Sequence, residues 1–74
     1  KEQQQELQKK IKGYQIVLEK EPENRNALEG LANAHIQLGN TKKAIERLEQ
    51  LAKLYPETET YQQQANQLKE KLNY

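Results

Sequence analysis

The pair Pro22-Glu23 returns as Pro56-Glu57, 34 residues further on, and the same shift lays Ile11 on Ile45, Tyr14 on Leu48 and Val17 on Leu51. That interval is the period of helix-turn-helix units stacked in a solenoid. Such a unit cannot bury its apolar face alone, so each needs a neighbour. With 74 residues the chain has room for one domain and about two periods. A chain this short buries only about 60% of the surface that its unfolded form exposes, and its core must be thin.

Punctuation within the repeat divides the chain into helices. Pro22, Gly39 and Pro56 are the credible breaks, and Leu, Glu, Lys, Gln and Ala, all good helix formers, dominate the stretches between them. Leu7, Ile11, Tyr14 and Leu18 recur at spacings of four, three and four, which predicts one helix over about 2–20. Asn24 is placed to cap a second helix with Ala27, Leu28, Leu31, Ala34, His35 and Leu38 facing inward, and Gly39 to end it. Asn40 or Thr41 caps a third, carrying Ala44, Ile45, Leu48, Leu51 and Ala52 and stopping at Tyr55-Pro56. Thr58 caps a fourth over about 59–73, striped by Tyr61, Ala65, Leu68 and Leu72. No period-two run of β-branched residues competes, so no strand is expected.

The segment Leu28-Glu29-Gly30-Leu31-Ala32-Asn33-Ala34-His35 resembles the first helix of the tetratricopeptide repeat, with Leu28 for the usual Trp and His35 for the usual Tyr. Ala32 stands at the family's small-residue site, and the likeness continues through Gly39 at the turn, Ala44 at the second small site, Leu48 for the aromatic and Pro56 closing the unit. One full repeat, about 25–58, is covered. The resemblance implies an all-α fold of antiparallel helical hairpins, four helices in a short right-handed solenoid, and a domain spanning 1–74. Small side chains at Ala32 and Ala44 are expected to let the two helices of the hairpin meet closely.

The two ends differ from the middle. Gln62, Asn66 and Lys69 fall where the second helix has Leu28, Ala32 and His35, so the last helix offers nothing apolar to a following one and reads as a solvating cap. The first helix carries Lys10 in place of Ala44, and Ile16 and Val17 lie off its main stripe. An upstream segment or a second copy of the chain could cover that pair, giving docking to a larger parent protein, or weak homodimerisation, as the alternative function, although a solvated apolar pair is also common on protein surfaces. The chain starts at Lys1 and contains no Met, which reads as a piece of something longer.

Catalytic chemistry finds few candidates. There is no Ser, Cys or Asp, and His35 is the single imidazole, so thiolate metal sites are excluded and hydroxyl-imidazole-carboxylate relays nearly so. His35 is read as a packing ring. Glu19, Glu21 and Glu23 lack the turn glycine and alternating ligands of a calcium loop. No enzyme activity, cofactor or metal is expected. Twelve basic residues against eleven acidic leave a net charge of +1, too balanced to attract nucleic acid or anionic lipid. Lys9, Lys10 and Lys12, and Lys42 and Lys43, are read as solvated faces. No apolar run nears the roughly 20 residues of a membrane helix, and a soluble, cytoplasmic segment is expected.

A protein or peptide partner is what remains. In proteins similar to this one the first-type helices line the inner curve, where Asn26, Glu29, Gly30, Asn33 and Gln37 are expected, joined by Gln63, Gln64 and Gln67 from the last helix. Asn and Gln each offer donors and acceptors, which suits the main chain of an extended peptide. Glu29 stands where the clamp for acidic chaperone tails has Lys, so that kind of tail is not expected.

Overall fold

The computed structural model describes residues 2–72 as four helices: α1 (Glu2–Lys20), α2 (Arg25–Leu38), α3 (Thr41–Leu54) and α4 (Glu59–Leu72). Asn73, within the expected span of the last helix, lies outside the described residues. The backbone of every helix lies beside that of its sequence neighbour alone, and no Cα pair from α2 and α4 comes within 8 Å, although side chains of those two helices meet. The result is a slab of 32 × 30 × 14 Å.

The repeat is visible in the turns as well as in the sequence. Glu21 N–H bonds Val17 C=O at 2.8 Å and Asn24 N–H bonds Glu21 C=O at 3.0 Å; 34 residues on, Tyr55 bonds Leu51 and Thr58 bonds Tyr55 at the same two distances. Asn24 sits in extended backbone, and its side-chain oxygen accepts from Ala27 N–H at 2.9 Å, satisfying one of the free donors of the first turn of α2. At the other end of α2, Gly39 takes the left-handed conformation, φ 82°, which lets its own N–H reach Ile36 C=O and the Asn40 N–H reach His35 C=O.

Two expected caps are not made through side chains. Asn40 occupies the cap position of α3, but only its main-chain oxygen is used, by Ala44 N–H at 3.1 Å. Thr58 precedes α4, yet its hydroxyl accepts from Arg25 Nη2 at 3.1 Å, because the guanidinium is a stronger donor than the amides of the new helix.

Leu28, Ala32, Leu48, Leu51, Tyr61 and Ala65 form the buried centre, with Leu18, Ala52, Leu54, Tyr55 and Leu68 against it. Ala32 and Ala44 are both buried. Ala32 joins the central cluster with Leu48 and Leu51, and Ala44 falls outside it. The outer side of α4 is polar: Gln62, Asn66 and Lys69 are exposed, Gln62 Nε2 donates to Asn66 Oδ1 at 3.1 Å, and Lys69 pairs with Glu49 of α3.

Leu72 departs from its expected inward place and is 45% exposed. The last turn of α4 lies over Gly39, Asn40, Thr41, Lys42 and Lys43, where α3 is only beginning and offers no apolar side chain to cover it.

α1 meets α2 through an aromatic ring on a glycine. A Cβ built on Gly30 would lie within 2.6 Å of three ring atoms of Tyr14. Adding a methyl there raises helix propensity by about 1 kcal/mol but displaces the ring. Gly30→Ala is therefore expected to lower stability in the native background and to raise it by about 1 kcal/mol once Tyr14 is Ala. Urea titrations of the four members of that cycle check this, and equal effects of Gly30→Ala in both backgrounds would refute the contact.

Candidate functional site

Arg25 opens α2, a position where the helix dipole disfavours a cation. Its neighbours offset that cost. Nε donates to the Tyr61 hydroxyl at 2.7 Å, Nη2 to Thr58, and the guanidinium lies 4.4 Å from the centre of the Tyr55 ring and 5.3 Å from that of Tyr61. Glu29, one turn further along α2, lies 3.8 Å from Arg25 Nε and accepts a hydrogen bond from the Tyr61 hydroxyl. The hydrogen bond to Tyr61 raises the Arg25 pKa above its ordinary value, and burial, then the bond to Glu29, raises that of the Tyr61 phenol. Both groups hold their neutral-pH charge states more firmly than usual. Tyr55 completes the arrangement by donating to the Glu23 carbonyl at 3.3 Å.

This cluster closes one end of a cleft of about 370 Å³ between α2 and α4. Ala32, Leu48 and Tyr61, all buried, form its floor, while Glu29, Asn33, Thr60 and Gln64 stand around it. The backbones of the two helices stay apart, so side chains alone bridge them.

Of the residues expected at a binding face, Glu29, Asn33 and Gln64 are brought together here. Gly30 is half-buried beneath the Tyr14 ring from α1. Gln63 lines a separate depression with Ala52, Pro56, Thr58, Glu59, Gln62 and Asn66, at the outer end of the stack. Asn26, Gln37 and Gln67 are exposed and line neither depression.

Sequence reasoning missed Arg25, Thr60 and Tyr61 as cleft residues. The signal for Arg25 was its basic charge at a helix start, and for Thr60 its 34-residue correspondence with Asn26. Tyr61 was placed correctly on the inward stripe, but nothing local shows that its hydroxyl reaches back to Glu29. Ile36, 41% exposed and one turn beyond Asn33 on α2, was also overlooked.

His35 lies away from this cleft's lining, buried between α2 and α3, and its Nδ1 has no hydrogen-bond partner among the described residues. Burial first, then Lys43 and Arg47 of α3, lower its pKa below 6.5, against a smaller opposing effect of Glu46. The neutral ring is the packed form. The unfolded chain then takes up a proton before the folded one does. Stability should be complete above pH of about 6.5 and fall as the pH drops from there towards the depressed folded value. Thermal melts between pH 7.5 and 5 check this, and a His35→Phe variant should lose that part of the dependence.

Helix backbones paired only with their sequence neighbours, in a 34-residue repeat in which two main-chain bonds of the turn recur, define a helical-hairpin repeat module. The family model for the tetratricopeptide repeat matches residues 5–72, and the chain belongs to that family. No curated protein and no solved structure gives a match. Tetratricopeptide repeats generally mediate protein-protein interaction and are typically not catalytic. Among the described residues no helix is long and apolar enough to cross a membrane.

Proposed function

We propose that this module holds an extended segment of a partner protein in the cleft between α2 and α4. The observation that carries the reading is the lining itself: Asn33, Thr60 and Gln64 stand over an apolar floor of Ala32, Leu48 and Tyr61. Among the described residues, the amides of Asn33 and Gln64 make no side-chain hydrogen bond within the chain, which leaves their donors and acceptors for a ligand's main chain. A small apolar side chain of the peptide fits the floor, and its backbone takes the amides. Arg25 and Glu29 are already engaged with Tyr61 and each other, so they shape the end of the cleft and add little net charge to it.

Peptides selected from a displayed random library, then titrated into labelled protein, provide the test. Amide shifts are expected at Asn33, Thr60 and Gln64, and Asn33→Ala should weaken binding about fivefold, the loss of roughly 1 kcal/mol. Shifts confined to α1 and α3 would place the ligand elsewhere and end the reading.

A further inference from the structure

The side of α1 turned away from α2 is built unlike a solvated helix face. Ile16 is 57% exposed and Val17 38%, although Val17 is the repeat counterpart of Leu51, which is fully buried in α3. Between them and the start of the helix lies Gly13, with nothing within 4 Å of where its Cβ would be. Glycine in the middle of an exposed helix is less favourable than alanine. The packing of this chain does not explain it, whereas Tyr14 explains Gly30.

Glu6, Lys9, Gly13, Ile16 and Lys20 follow one another at spacings of three and four along this side, the seam of a helix that packs against another helix. Its outermost charges, Glu6 and Lys20, are complementary about Gly13. A two-fold axis through Gly13 and perpendicular to the helix sets Glu6 of one copy opposite Lys20 of the other, and the reverse. The same axis sets Val17 and Ile16 against the methylene stems of Lys9 and Lys10. All of these side chains are exposed, and among the described residues neither Glu6 nor Lys20 makes an ion pair within the chain. Gly13 then meets Gly13, and the missing Cβ atoms allow the two backbones to approach.

The geometry points to a second copy of this chain as the occupant: an antiparallel α1–α1 dimer crossing at Gly13 and locked in register by two Glu6–Lys20 pairs. A single helix pair is small beside the roughly 1,200 to 2,000 Å² of stable interfaces, so the dimer is weak and populated only at high protein concentration. It leaves the α2–α4 cleft free, and neither reading depends on the other.

Sedimentation equilibrium on the wild type and on charge variants tests it. The weight-average mass of the wild type should climb towards twice the monomer value as concentration approaches about 1 mM, the range where weak contacts become populated. Glu6→Lys and Lys20→Glu should each associate at least fivefold more weakly alone, because like charges then face one another. Mixed in equal amounts they should regain association, since every Glu of one meets a Lys of the other. Gly13→Leu should abolish association while raising the melting temperature, which separates a lost contact from a damaged fold. A wild type that stays monomeric to about 1 mM overturns the dimer. So does a mixture of the charge variants that associates no better than either alone.

Discussion

Leu51→Ala should bring the domain close to unfolding. Leu51 is fully buried in the central cluster with Leu28, Ala32, Leu48, Tyr61 and Ala65, and truncating such a side chain costs about 2 to 5 kcal/mol. A folded domain of 74 residues has a total stability of roughly 4 to 11 kcal/mol. The loss is therefore a large fraction of the whole. Thermal unfolding followed by circular dichroism checks this. A shift of only a few degrees would mean that the turn after α3 relaxes to fill the cavity.

Tyr61→Ala should have a comparable effect and in addition dismantle the cleft. Its ring is 6% exposed in the core, and its hydroxyl stands between Arg25 and Glu29, so removal costs about 3 to 5 kcal/mol for the lost ring. Tyr61→Phe separates the two contributions. It keeps the ring and removes only the hydroxyl, and a cost of about 1 to 3 kcal/mol is expected from the bonds to Arg25 and Glu29. Should Tyr61→Phe prove neutral, those bonds are no stronger than the ones water would make.

The helices were legible because their signals are local: apolar residues at spacings of three and four, and breaks at Pro22, Gly39 and Pro56. The repeat correspondence carried further, since it placed Glu29 and Asn33 near the inner face, and the structure joins them with Gln64 in one cleft. What local pattern does not encode is which long side chain turns toward which neighbour. Gly30 reads as an open position on α2 until the ring of Tyr14, 16 residues earlier, is seen to lie on it. Thr58 reads as a cap until Arg25, 33 residues earlier, takes its hydroxyl. Leu72 continues the apolar stripe of α4, yet the first turn of α3 beside it, Thr41 to Lys43, carries no apolar side chain to cover it.

Because the helix backbones pair only with their sequence neighbours, side chains alone tie α2 to α4. Fraying can begin at α4 without disturbing α1, and it takes one wall of the cleft with it. The Arg25, Glu29 and Tyr61 bonds are the clasp that opposes such opening, and a peptide lying across α2 and α4 would add a second. On the proposed reading, occupancy and integrity of the last helix would be one equilibrium, and a ligand filling the cleft would also hold α4 in place.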